Sequence, residues 1–124
     1  SDAGMTLFRH GKRVVSETEP LLDLVIILNS AKDEAYLYLE PLNLEWPLEI
    51  RASTAEKVKV FQFQNGNNSE LLGYVKLLEP WIVDDASFEI KNDSGWVTIW
   101  AKPKEKEALK IILKDYKKLV NERE

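Results

Sequence analysis

The spacing of apolar residues changes once along this chain, and that change limits the fold more than any motif does. From Leu7 to Ala101 apolar residues fall in short β-type runs cut by turn residues, and after Pro103 they fall at helical spacing. The order implies antiparallel strands followed by a terminal helix. With 124 residues, one hydrophobic core suffices. The expectation is therefore a mainly β fold: a small antiparallel β-sandwich-like domain of roughly seven to nine strands with one C-terminal α-helix packed on it. Residues 5–102 form the β-rich body and residues 103–124 an amphipathic helix of the same domain.

The clearest alternation is Leu42, Leu44, Trp46, Leu48 and Ile50, with Asn43, Glu45, Pro47 and Glu49 between them. Period two puts one face on a core and the other in water. Pro47 cannot donate to a ladder, so the run reads as an edge or bulged strand. Other strands are read at Leu7–Arg9 and Arg13–Val15 around a turn at His10-Gly11-Lys12, at Asp23–Asn29, at Ala35–Glu40 broken by Pro41, and at Lys57–Gln64. Leu71–Leu78 is read as a strand ended by Pro80, and Ser87–Lys91 pairs with Trp96–Ala101 through Asn92-Asp93-Ser94-Gly95. The expected core comprises Leu24, Ile26, Leu37, Leu44, Trp46, Leu48, Ile50, Val58, Val60, Phe88, Ile90, Val97 and Ile99.

Two segments admit a helix instead. Ser16-Glu17-Thr18-Glu19 before Pro20 resembles a capping box, and Asn68-Ser69-Glu70 could cap a helix through Glu79. Val25-Ile26-Ile27 favours a strand in the first segment, and Gly73 and Val75 weigh against a helix in the second. If residues 17–31 or 68–79 are helical, the fold becomes an α+β two-layer sandwich.

Lys104–Glu122 reads as helix, with Ala108, Ile111, Ile112, Tyr116, Leu119 and Val120 as its apolar stripe. The formal charge of −4 is uneven, because residues 102–124 carry eight basic and five acidic groups. Acidic groups near the helix start and basic ones near its end suit the helix dipole. A basic face meeting the acidic body, or an acidic partner, is the other reading.

Composition excludes much chemistry. There is no cysteine and a single histidine, His10, so Cys-ligated zinc, iron–sulfur, thiol-nucleophile and multi-His metal sites are out. His10 reads as a solvated turn residue. No GxSxG elbow, P-loop or GxGxxG occurs. Neither metal nor cofactor is expected. Asn65–Glu70 with Asp84-Asp85 supplies oxygen donors for calcium but lacks EF-hand spacing. Lys57–Phe63 interleaves basic and aromatic residues as some RNA-binding sheets do, yet the chain is acidic, so no nucleic-acid partner is expected. No apolar run is long enough to span a membrane. Residues 1–4 read as a cloning remnant before a native Met5, implying the cytoplasm, or as the new terminus left when a signal is removed, implying export. Oligomeric state is left open.

The tryptophans remain. Trp96, Thr98 and Trp100 share one strand face, and Val97, Ile99 and Ala101 the other. Both faces want cover, so one should line the core while the terminal helix packs over the other. The same residues also suit a ligand platform, since indole faces stack on sugar rings. Trp46, Trp81, Trp96 and Trp100 are the candidate ligand-binding residues, and no catalytic residue is singled out. The expected function is a non-catalytic binding, accessory or interaction module with a protein or carbohydrate partner. One alternative is a carbohydrate-binding module using exposed tryptophans. Another is a low-motif enzyme such as a two-carboxylate glycosidase, drawing on Glu40, Glu45, Glu49, Asp84, Asp85 or Glu89 at about 5–9.5 Å separation.

Overall fold

The structure is a computed structural model that describes residues 5–8 and 19–123, with side chains for residues 19–121. In chain order the elements are β1 Met5–Phe8, β2 Leu21–Asn29, β3 Glu34–Leu42, β4 Leu48–Ser53, β5 Val58–Phe63, α1 Asn68–Val83, β6 Ser87–Asn92, β7 Gly95–Ile99 and α2 Pro103–Arg123. They form two antiparallel sheets, ordered β1-β2-β3 and β5-β4-β6-β7. The fold is mainly β. Six strands, β2 to β7, have described side chains, fewer than the seven to nine expected, and there are two helices where one was expected. The turn at His10 and the strand Arg13–Val15 lie outside the described residues.

In the first sheet, β2 pairs with β3 from Leu21↔Leu42 to Asn29↔Glu34. The Asn29 side chain accepts the Lys32 N–H in the turn, and Asp33 takes a positive φ of 52°, which Asp tolerates. Pro41 does not break β3; it is paired with Leu22 inside it. It is tolerated because β3 is an edge strand of its sheet.

The run Leu42–Ile50 is not one strand. Leu42 ends β3 and Leu48 starts β4, while residues 43–47 link the two sheets. Asn43 has φ 58°, so the backbone leaves the extended region there despite an intact alternation. Pro47 therefore blunts no edge. β4 lies inside its sheet, between β5 and β6.

Residues 68–83 are helix, not the strand read for 71–78. Asn67 caps it: its side chain accepts the Glu70 N–H at 2.9 Å, and the Glu70 carboxylate accepts the Asn67 N–H at 3.2 Å. This reciprocal box outweighs Gly73 and Val75. A Cβ on Gly66 would lie 2.9 Å from the Glu70 carboxylate, so the residue before the cap leaves that carboxylate its room. Pro80 does not end α1, which runs one turn further. It stops in a Schellman arrangement, with Ala86 N–H on the Trp81 carbonyl, Asp85 N–H on the Ile82 carbonyl, and Asp85 at φ 56°.

One buried cluster joins Leu22, Leu24, Ile26, Leu37 and Leu39 of the first sheet to Leu48, Ile50, Ala52, Phe61, Phe63, Phe88, Ile90 and Ile99 of the second. Both helices feed the same cluster, α1 through Val75, Leu78, Trp81 and Ile82 and α2 through Leu109, Ile112 and Leu113. The core is thus not closed by two sheets alone. The buried line of α2 is offset from the expected stripe, since Leu109 and Leu113 are buried while Ala108 and Ile111 are half-buried.

In β5 the expected inward residues are the outward ones. Val58 is 62% and Val60 46% exposed, whereas Phe61 and Phe63 are buried. The two phases of this strand compete, and two phenyl rings bury more apolar area than two isopropyl groups. Lys59 shares the inward phase, at the open end of the strand, and lays its ammonium 5.1 Å from the Phe61 ring. Leu44 and Trp46 are half-buried against the core, and Val97 is half-buried.

Candidate functional site

The four tryptophans do not share a surface. Trp81 is buried in α1, edge-on to Phe61 at 6.3 Å, with Lys57 over its ring at 4.7 Å. Trp46 sits half-buried in the link between the sheets. Trp100 is 6% exposed, edge-on to Phe88 at 5.1 Å, and donates its indole N–H to the Leu22 carbonyl at 2.7 Å.

Trp96 and Trp100 part company because β7 ends at Ile99. Trp100 then takes φ 52°, a conformation that costs a non-glycine residue about 1–2 kcal/mol. That turn swings its ring to the covered side of the sheet, beside Ile99, where burial and the indole bond offset the cost. Trp96 stays on the opposite face, half-buried. The terminal helix does not pack over that face: Lys106 of α2 lies 6.0 Å from the Phe88 ring, on the covered side.

Among the described residues, no element covers the outer surface of the second sheet. Register places Arg51 beside Val60 and Glu89, Glu89 beside Thr98, and Lys91 beside Trp96 on one surface. Arg51 is its hub. It donates to the Glu89 carboxylate through Nε at 2.9 Å and Nη2 at 2.8 Å, and its guanidinium lies 4.3 Å from the Trp96 ring. The pair is about a third exposed on each side, so the guanidinium is held over the indole without being sealed from solvent. Thr98, Val58 and Val60 are exposed around this cluster. Arg51 was not singled out from the sequence. The signal is the polar phase of β4, where Glu49, Arg51 and Ser53 alternate with Leu48, Ile50 and Ala52.

Four of the six carboxylates weighed for catalysis are engaged elsewhere. Glu89 holds Arg51; Asp85 pairs with Lys110 at 2.7 Å; Glu40 accepts the Tyr38 hydroxyl; and Glu49 lies 3.5 Å from the Gln62 amide. The bond from Lys110 holds the Asp85 carboxyl below the usual carboxylate range, against an opposing effect of desolvation, and Asp85 in turn raises the Lys110 ammonium. Glu34 accepts the Tyr36 hydroxyl at 2.6 Å and raises that phenol, while burial raises Tyr116. The oxygens of the Asn65–Glu70 loop serve the α1 cap and its approach. Among the described residues no group of three metal-ligating side chains occurs, and no helix is long and apolar enough to cross a membrane. Phe61 and Phe63, the aromatics of the basic run, are core residues, Phe63 stacked on Tyr74 at 4.3 Å. An open depression of about 740 Å³ runs along α2 beside Ile111, Lys114, Asp115 and Lys118 and contains none of the tryptophans.

Two lysines of α2 meet acidic groups of the chain itself, and a third meets a backbone carbonyl. Lys110 pairs with Asp85, Lys117 with Glu79 at 2.6 Å, and Lys106 donates to the Ala86 carbonyl at 2.7 Å. These cations sit at the C-terminal end of α1, whose own last turn has no basic residue. The second helix thus supplies the charge that the first helix lacks at its negative end. Compared with protein-family models, with curated proteins and with solved structures, the chain matches none.

Proposed function

We propose that this protein is a non-catalytic interaction module that binds a protein partner through the outer face of its second sheet. The observation that carries the reading is the Arg51–Trp96–Glu89 cluster on a sheet face that neither helix covers, flanked by exposed Val58 and Val60. Tryptophan and arginine are the residues most enriched at the energetic centres of protein interfaces, and a guanidinium fixed on an indole needs little ordering when a partner arrives. Sugar stacking has less support. One face of the Trp96 ring already carries Arg51, and Trp81 and Trp100 are core residues. A two-carboxylate hydrolase has less still, since each weighed carboxylate with a described partner serves a bond of the fold.

The test is site-directed photo-crosslinking in a lysate, with the probe at Thr98 and a control probe at Lys114 on α2. A partner captured from Thr98 and not from Lys114, and lost on Trp96→Ala in a chain with unchanged circular dichroism, supports the reading. Equal capture from both positions, or capture indifferent to Trp96→Ala, overturns it. Trp96 fluorescence that shifts on titration with a sugar panel transfers the site to the carbohydrate reading.

A further inference from the structure

We propose that β5 is a self-pairing edge and that two copies of this chain join through it as an antiparallel, two-fold dimer centred on Val60. This goes beyond the outer-face reading and does not depend on it. The phase of the β4–β5 ladder is set at its turn, where the Thr54 N–H donates to the Lys57 carbonyl at 2.8 Å. In an antiparallel pair, hydrogen-bonded and non-hydrogen-bonded positions alternate. Lys59, Phe61 and Phe63 therefore direct their backbone groups to Ala52, Ile50 and Leu48 of β4, and Val58, Val60 and Gln62 direct theirs away from it. Among the described residues, no strand lies on that side of β5. Three N–H and three C=O groups thus point outward from Val58, Val60 and Gln62, two of them exposed valines.

Lysines on an edge usually prevent strand addition, and β5 has Lys59 within it and Lys57 just before it. Their placement at one end makes them a filter on register instead. A parallel in-register copy would set lysine against lysine. An antiparallel copy centred on Val60 sets Val60 against Val60, Val58 against Gln62, Lys59 against Phe61 and Lys57 against Phe63. No like charges then stand opposite, and each lysine stands opposite a phenylalanine, the ring type that Lys59 already lies over. Shifting the centre to Lys59 brings the two cations face to face. Charge therefore favours a second copy in this register. The paired sheets would carry two Arg51–Trp96 clusters on one continuous face. A strand edge of this length is smaller than the roughly 1,200–2,000 Å² of stable interfaces, so the dimer should be weak and concentration-dependent.

Sedimentation equilibrium from about 10 μM to about 1 mM tests the pairing. The expected result is a mass rising from 14.3 kDa toward twice that value. Val60→Lys, which places two cations on the two-fold axis, should stay at the single-chain mass with unchanged circular dichroism. Val60→Pro removes one outward N–H without touching the β4 ladder and should behave alike. The chain has no cysteine, so a cysteine placed on β5 reports the register directly. Val60→Cys should oxidise to a covalent dimer, because opposed Cα atoms lie about 5.5 Å apart, and Val58→Cys should not. A wild-type chain that stays single at every concentration overturns the proposal and leaves the edge to a strand of another protein. Dimerisation undiminished in Val60→Lys, or equal crosslinking from the two cysteine positions, overturns it as well.

Discussion

In the first sheet, four successive residues of β2, Leu24 to Ile27, are buried, which requires cover on both faces. In the second, β4 alternates buried and half-buried residues from Leu48 to Ser53, and one face alone is covered. The chemistry of the far faces differs accordingly. Behind the first sheet, Val25 is 0% and Ile27 6% exposed, and the neighbouring Tyr36 and Tyr38 hydroxyls are bonded to Glu34 and Glu40. Behind the second sheet lie Arg51, Glu89, Trp96 and two exposed valines. A β-branched residue is thus core in one sheet and surface in the other. The open face is the one with recognition chemistry, because its groups can exchange solvent for a partner without unfolding anything.

The widest gap between covered and open sides should appear at the two tryptophans of the β7 segment. Trp100→Phe removes the indole donor to the Leu22 carbonyl and leaves a void beside Phe88. It should cost about 2–4 kcal/mol in denaturant unfolding. Trp96→Phe keeps an aromatic surface under Arg51 and should cost under about 1 kcal/mol. Similar losses at both positions would mean that the outer face is part of the core and would break the comparison.

A matched pair of valines sharpens it between sheets. Val25→Thr buries a hydroxyl at a position with no exposure and should cost about 1–3 kcal/mol. Val60→Thr leaves its hydroxyl in water, in a residue type that suits strands, and should stay within about 0.5 kcal/mol of the wild type. A Val25→Thr chain as stable as the parent would show the far face of the first sheet to be wet.

Much of this contrast is written in the residues. The unbroken Leu24-Val25-Ile26-Ile27 announces a strand covered on both faces, and Leu48-Glu49-Ile50-Arg51-Ala52 announces one covered on a single face. The hairpin at Gly95, with φ 117°, and the helix after Pro103 are equally local. Other features depend on competition between local and distant effects. Lys57–Phe63 offers valines in one phase and phenylalanines in the other, and the core selects the larger rings. The alternation through Trp46 is real, but Asn43, at φ 58°, takes the backbone out of line, so it spans two strands. Trp100 continues the phase of Trp96 in sequence and leaves it in space, because its partner is the Leu22 carbonyl, 78 positions away. The cluster at Arg51 was illegible for the same reason, since Glu89 is 38 positions off.

The helix that sequence reading placed as a strand bears on why the inner side of the second sheet is closed. α1 contributes Val75, Leu78, Trp81 and Ile82 to the core and stacks Tyr74 on Phe63 of β5. Asn67→Ala removes half of the capping box and should cost about 1 kcal/mol. The loss should appear as faster amide exchange in residues 68–71, with no change in the environment of Trp96. Faster exchange spreading to β4 would tie the cover and the sheet into one cooperative unit.

The smallest effect expected is at the charges that bind the two covering helices to each other. The Asp85 carboxyl is held low by Lys110, so its contribution to stability is present above the ordinary carboxylate range and is lost as pH falls through the depressed value. The Lys110 ammonium is raised, so its contribution is present below the ordinary lysine value and is lost as pH rises through the raised one. Between those limits the pair is fully formed. Asp85 is more than half exposed, so solvent screens the bond heavily and apolar burial dominates the joint. Lys110→Met should return the Asp85 titration, followed by carboxyl-carbon NMR, to the ordinary range and flatten the acid limb of the melting curve slightly. It should leave the buried packing of Leu109, Ile112 and Leu113 intact. A loss of stability as large as that of Trp100→Phe would mean that charge, and not the apolar cluster, holds the helices over the covered face.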